Sequence, residues 1–211
     1  MIIMEIDLSL IGMEKGRQYE TVITTRNEDG SNHAAPIGVL CSGPDTIINR
    51  IFKGSRTLEN ILNRKEFYVN ICHSPELFTC SLIDELGDEY FTDRNTLKSA
   101  DAYFKCEVIS FKEAVKQSDP VKNKDEAIVF KSKVCELVIN KETRAFNRGF
   151  GYVIESLTNF SRFDLVEGEQ KEFYIKRFRD AYRIVNKVGT KEDIRAMHKI
   201  KKELKNKGHD L

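Results

Sequence analysis

The sequence predicts a mainly β body with α elements, barrel-like, followed by a helical C-terminal unit. Three observations lead there. Runs of β-branched and aromatic residues joined by tight turns crowd the first third of the chain. Beyond residue 140 the apolar spacing becomes helical. The charge changes sign at the same place: residues 1–140 carry 17 basic and 22 acidic side chains, residues 141–211 carry 17 and 11. The expected division is therefore 1–140 for the β body and 141–211 for the helices.

The first strand covers 19–26, Tyr-Glu-Thr-Val-Ile-Thr-Thr-Arg. Asn27-Glu28-Asp29-Gly30 turns it back, because glycine reaches the positive φ that hairpin turns require. The return strand runs from Asn32 to Cys41 and contains Pro36, which has no N–H and so belongs at an edge or bulge. Ser42 to Asp45 makes the next turn, and Thr46 to Phe52 is the third strand, completing an antiparallel meander. A short helix follows at Thr57–Arg64, with Ser55 or Thr57 as its N-cap. Phe67–Ile71 is a strand, Pro75–Leu86 a helix stopped by Gly87, and Tyr103–Phe111 and Ile128–Ile139 are strands. The polar stretch Lys112–Lys124, with Asp119-Pro120, reads as an exposed loop. Three helices complete the chain: Thr143–Phe163, with Phe150, Val153, Ile154 and Leu157 on one face, then Lys171–Lys187 and Thr190–Lys207. Thr190-x-x-Asp193 resembles a capping box.

With 211 residues and 40% hydrophobic content, the chain can bury a core. No apolar run approaches the roughly 18 residues of a membrane span. Met1–Asp7 mixes acids into its apolar stretch and has no basic leader, so no signal peptide is expected. The five cysteines are scattered and form no C-x-x-C pair, which fits reduced thiols in a cytoplasmic protein. The histidines His33, His73, His198 and His209 form no metal pattern.

The most informative stretch is Arg50-Ile-Phe-Lys-Gly-Ser-Arg-Thr-Leu-Glu-Asn60, a strand end that turns through Gly54 into a helix. A helix start favours an anion through its unpaired N–H groups and positive dipole end. Ser55 and Thr57 add hydroxyls, Arg56 a two-pronged phosphate contact, Lys53 a point charge, and Arg50 shares a strand face with Phe52. The plainer reading is a capped helix with surface cations. Upstream, Ala34-Ala35-Pro36-Ile37-Gly38 offers small side chains on which a flat ring could lie. A strand with small residues at a tight barrel curve is the alternative. Cys72-His73 has the residue types of a nucleophile and base, but neighbours on a strand point opposite ways. Asn147, Glu155 and Arg162 fall on one flank if the helix is continuous, either as a solvated face or as a lid.

Taken in order, Glu20 to Gly30, Ala34 to Gly38, Arg50 to Asn60, Phe67 to Ile71 and Pro75 to Phe78 resemble a largely archaeal family of FMN-binding split-barrel proteins. That family is similar at greater distance to flavin reductases and pyridoxamine phosphate oxidases. Phe146-Asn147-Arg148, Val153-Ile154-Glu155 and Ser161-Arg162 resemble its helical part. The resemblance implies a Greek-key split β-barrel and a homodimer with FMN near the subunit interface. It implies that Arg50, Lys53, Gly54, Ser55, Arg56 and Thr57 surround the phosphate, and Ala35, Pro36, Ile37 and Gly38 the ring.

The expected function is a flavin-dependent oxidoreductase, flavin reductase-like, acting on a small molecule with NAD(P)H or another electron donor. Asn147 and Arg148 are the candidate substrate contacts, no catalytic acid or base is assigned, and pterin cofactor metabolism is one setting. Two other classes stay open. One is a flavin carrier or sensor that signals through its helical tail. The other, less favoured, is nucleic-acid binding through Lys171–Lys207.

Overall fold

The computed structural model describes residues 6–83, 85–116 and 125–209. Among them six strands form: β1 (Gln18–Arg26), β2 (Asn32–Gly43), β3 (Thr46–Phe52), β4 (Glu66–Ile71), β5 (Ala102–Lys116) and β6 (Asp125–Ile139). Five α-helices accompany them: α1 (Arg56–Arg64), α2 (Pro75–Leu82), α3 (Gly149–Ser161), α4 (Gly168–Val188) and α5 (Lys191–Asn206). The strands close a barrel in the order β1-β2-β3-β6-β5-β4, with every ladder antiparallel. The β1–β2–β3 meander thus joins the β4–β5–β6 meander at both of its ends. The fold is a Greek-key split β-barrel with a C-terminal helical unit.

Local chemistry explains the meander. Gly30 takes φ +85°, and Asn27 N–H donates to the Ser31 carbonyl at 2.9 Å, which closes the β1–β2 turn. Inward-facing residues of period two then fill the barrel: Ile23, Val39, Ile47, Ile51, Val69, Phe104 and Phe130 are all buried there. Each such side chain contributes about 1.5–3 kcal/mol when fully buried. A second, smaller cluster, including Val22, Ala34, Leu77, Phe91 and Leu97, forms around α2. Ser55 caps α1, its Oγ accepting from Leu58 N–H at 3.3 Å.

The chain divides into two compact units between Phe146 and Asn147. In the second unit α3, α4 and α5 enclose Val153, Ile175, Phe178, Val185, Met197, Ile200 and Leu204. Thr190 and Asp193 form a reciprocal capping box at the start of α5. Among the described residues, no helix is long and apolar enough to cross a membrane.

Four expectations are corrected. The stretch 112–116 is strand rather than loop, because the β5–β6 ladder continues from Lys112↔Val129 to Lys116↔Asp125. A hairpin that projects into water needs no apolar alternation, so the sequence gives no strand signal there. Asp119-Pro120 lies outside the described residues. Helix α2 stops at Leu82, where Ile83 N–H still bonds the Thr79 carbonyl but the helix goes no further. Helix α3 starts at Gly149 instead of Thr143, since Phe146 is first held in a bridge to Glu20. Its apolar face also splits. Val153 packs inward, whereas Phe150, Ile154 and Leu157 are exposed.

Candidate functional site

The site is a fork between two strands. The β2–β3 ladder pairs Cys41 with Ile47, Leu40 with Ile48 and Val39 with Asn49, and ends there. Continuing it would join Ile37 to Ile51. Instead β2 keeps its ladder with β1, pairing Ala35↔Ile23, Pro36↔Val22, Ile37↔Thr21 and Gly38↔Glu20, while β3 stays with β6 as far as Phe52↔Ala127. Pro36 is compatible with this edge, because it has no N–H to offer a third strand. Thr21 Oγ1 donates to the Ile37 carbonyl at 2.6 Å and fixes the edge from the β1 side.

A cavity of about 540 Å³ fills the fork, within the range of roughly 300–1,000 Å³ usual for small-molecule pockets. Its β2 wall is His33, Ala35, Pro36, Ile37 and Gly38, and its β3 wall is Arg50, Ile51 and Phe52. The start of α1 closes one end with Ser55, Arg56 and Thr57, and the end of α2 contributes Ser81 and Leu82. Ala35 to Gly38 are all half-buried, and they form a low, mostly apolar ledge.

The α1 end is electropositive. Ser55, Arg56 and Thr57 bring the start of α1, the positive end of its dipole, to the cavity, and Gly54, at φ +80°, turns the chain from β3 into it. Arg56 is exposed, Ser55 half-buried and Thr57 buried. Thr57 Oγ1 lies 3.0 Å from His33 Nε2, which ties α1 to β2 across the cavity. The Arg50 guanidinium lies 5.3 Å from the Phe52 ring centroid. Its Nε and Nη2 are buried and have no hydrogen-bond partner in the protein. Buried guanidinium donors without acceptors are costly unless a ligand supplies the oxygens.

Lys53 and Gly54 do not line this cavity. The Lys53 ammonium lies 2.7 Å from Glu126 and 3.2 Å from Glu113, and the hydrogen bonds to Glu126 and then Glu113 hold its pKa above the ordinary lysine value. Lys53 is thereby turned toward β5 and β6. Asn147 and Arg148 belong to the helical unit. Asn147 Nδ2 donates to the Val188 carbonyl at 2.6 Å, and its Oδ1 accepts from Gly149 N–H at 2.7 Å, so Asn147 fastens the start of α3 to the end of α4. Arg148 is the half-buried N-cap position of α3. Asn147 precedes the helix, and Glu155 pairs with Arg177 at 2.8 Å, so the flank of Asn147, Glu155 and Arg162 is not one continuous face.

The Cys72-His73 pair is not a nucleophile and base. Cys72 is buried and its thiol is pushed up to about 11, chiefly by that burial. His73 Nδ1 lies 2.9 Å from Asp101 Oδ2. Burial would raise the Asp101 pKa, but the hydrogen bonds from Lys141 and His73 outweigh it and hold the carboxyl below its usual value. This cluster fastens the β4 end to the strand-ending loop at 140–143, where Asn140 and Lys141 N–H groups bond the Asp101 carbonyl. Among the described residues, no group of three or more His, Cys, Asp or Glu side chains could hold a metal ion.

Of the wall residues, the sequence reading gave no binding role to Ile51, Phe52, Ser81 and Leu82, and it set His33, which could reach a ring site, second to a solvent-facing strand histidine. The period of two from Ala35 points back to His33, and Ile51 and Phe52 lie inside the motif already singled out. Nothing in the sequence brings Ser81 and Leu82 to the fork.

Two family profiles cover most of the chain. Residues 19–141 match "Protein of unknown function (DUF447) N-terminal domain", and residues 147–202 match "Protein of unknown function (DUF447)". The uncharacterized protein MJ1453 of Methanocaldococcus jannaschii is 30% identical over 178 residues, which is 82% of this chain and 91% of that protein. Among solved structures, the FMN-bound protein MM1853 of Methanosarcina mazei, itself assigned to DUF447, is 29% identical with a TM-score of 0.51. That match covers 93% of this chain and 99% of the other. Component B of nitrilotriacetate monooxygenase from Bacillus cereus is 12% identical, with a TM-score of 0.46 over 69% of this chain and 82% of that one. On the first two matches, the chain belongs to the DUF447 family.

Proposed function

We propose that the fork between β2 and β3 binds FMN and that the protein is a flavin-dependent oxidoreductase of the flavin-reductase kind. The observation that carries this reading is half-buried Arg50 in the cavity wall, whose Nε and Nη2 are buried and lack partners, on the strand that leads into the α1 start. A phosphate monoester supplies the acceptors those donors lack. The FMN-bound relative MM1853 supports the choice of ligand.

Under this reading Arg50, Ser55, Arg56 and Thr57 hold the phosphate, with the α1 dipole adding to the field. His33 holds the Thr57 hydroxyl in place. The ledge from Ala35 to Gly38 carries the ring, and the backbone edge left uncovered by β3 supplies hydrogen bonds to it. When bound, FMN supplies hydride and electron chemistry, and the protein contributes position and electrostatics. Among the described residues, His33 is the one ionisable side chain in the wall apart from the arginines, which fits a site where the cofactor does the chemistry.

The reading includes a homodimer, a small-molecule substrate and NAD(P)H or a comparable donor. Phe52 and Leu82 at the cavity rim are 51% and 71% exposed in the single chain, consistent with cover from a second copy or a substrate. Reduction of bound FMN by NAD(P)H under anaerobic conditions, followed at the flavin absorbance band, tests the activity. Bleaching with turnover to an added acceptor supports the oxidoreductase. Bound flavin that accepts no electrons from any donor would leave a carrier.

A further inference from the structure

The helical unit holds a second cavity, of about 400 Å³, between α4 and α5. Its lining is Tyr182, His198, Lys201, Lys202, Lys205 and Asn206, with no carboxylate among them. His198, Lys201, Lys202 and Lys205 follow i, i+3, i+4, i+7 spacing, so one face of α5 presents them together. From Ile194 to Asn206 there are five lysines and arginines and a single acid, Glu203, which is five positions from His198 and turned off that face.

Three cations elsewhere in this unit are paired: Arg177 with Glu155, Lys207 with Asp164 and Arg183 with Asp180. Lys201, Lys202 and Lys205 pair with no carboxylate among the described residues. Like charges at these spacings repel, so the cluster opposes helix stability unless an anion joins it. Tyr182 braces the cluster. Its ring stacks on His198 at 5.7 Å, meets Phe178 at 5.8 Å, and lies 4.5 Å from the Lys201 ammonium. A ring engaged by three neighbours is a poor platform for stacking bases, which argues against a single-stranded nucleic acid.

We infer that this cavity binds a compact polyphosphate, two or more linked phosphates carried by a nucleotide or free in solution. The three ammonium groups neutralise the linked phosphates, and His198 and Asn206 supply further polar contacts at the rim. The cavity is lined wholly by residues of the helical unit, and the inference does not rest on the flavin reading.

Isothermal titration of the full chain with inorganic tripolyphosphate, at about 50 mM salt, tests it. Saturable binding at one site per chain is expected, with movement of the His198 ring proton resonances. The triple substitution Lys201→Gln, Lys202→Gln and Lys205→Gln is expected to weaken binding by at least about a hundredfold, at roughly tenfold per lost charged contact. A control of equal charge, Lys131→Gln, Lys176→Gln and Lys191→Gln, is expected to retain it. ATP binding more tightly than tripolyphosphate would identify a nucleotide as the source, and equal affinity would identify the phosphates alone. The inference is overturned by absence of saturable binding, or by an equal loss in the control. It is also overturned if single-stranded RNA is retained while tripolyphosphate is ignored.

Discussion

Val39 and Asn49 form the last rung of the ladder between β2 and β3. The next two pairs along, Gly38 with Arg50 and Ile37 with Ile51, never meet as rungs, and all four residues line the cavity. The barrel is therefore closed at one end of this strand pair and split at the other. The split places a small-residue ledge opposite a cationic helix start.

Arg50 gives the sharpest prediction for that arrangement. Arg50→Leu is expected to lower FMN affinity about ten- to a hundredfold, the value of a charged hydrogen-bonded contact at about 1.5–3 kcal/mol. The same change is expected to leave the melting temperature of the flavin-free protein equal or higher, because Nε and Nη2 are buried without partners there. Flavin fluorescence titration and thermal unfolding of the same samples measure both. A variant that loses stability and keeps affinity would make Arg50 a structural residue.

Lys53 is expected to behave in the opposite way. Its ammonium is held by Glu126 and Glu113 on the strands beyond the fork. Lys53→Gln should leave FMN affinity within about twofold, since exposed ion pairs of this kind are worth roughly 0–1 kcal/mol. The same titration checks it, and a tenfold loss would return Lys53 to the phosphate site.

Asp101 sets a pH dependence. Its pKa is lowered in the folded protein, burial being outweighed by Lys141 and His73. A depressed carboxyl stabilises the fold above its unfolded value, about 3.9, and that contribution is lost as pH falls through the lower folded value. Asp101→Asn should therefore be less stable than wild type at about pH 7, and the gap should close on acidification below about pH 4. Urea midpoints across that range measure it. A gap that persists to about pH 2 would show that geometry, rather than charge, is what Asp101 provides.

The packing of the helical unit turns on two glycines. A Cβ on Gly149 would lie 2.7 Å from the Gly189 Cα, and one on Gly189 would lie 2.7 Å from the Val185 carbonyl oxygen. Both neighbours are backbone, so they cannot swing aside. Gly149→Ala and Gly189→Ala should each cost about 1–3 kcal/mol, in unfolding followed by helix circular dichroism. Wild-type melting in both variants would show that α3 rests less tightly on the α4–α5 junction.

The meander was legible because its signals are local. Gly30 marks a turn by its φ, Ser55 caps α1 by hydrogen bonding three residues ahead, and Thr46 to Phe52 alternates in period two. Arg50, Ser55, Arg56 and Thr57 were readable for the same reason, since a strand-to-helix turn is written in consecutive residues. The fork itself was not readable. Where the β2–β3 ladder stops depends on pairing between distant residues, and so does the arrival of Ser81 and Leu82 from α2. The charge of Lys53 was visible, but its partners Glu113 and Glu126 were not, because they lie on strands far along the chain. The bond of Asn147 to the Val188 carbonyl was hidden for the same reason, its partner being 41 residues away.

The most direct measurement compares FMN with riboflavin, which lacks only the phosphate. Titrated into flavin-free protein under the same conditions, FMN should bind at least about a hundredfold more tightly, the combined value of contacts to Arg50 and Arg56. Equal affinity for the two flavins would mean that the cationic end of the fork holds no phosphate.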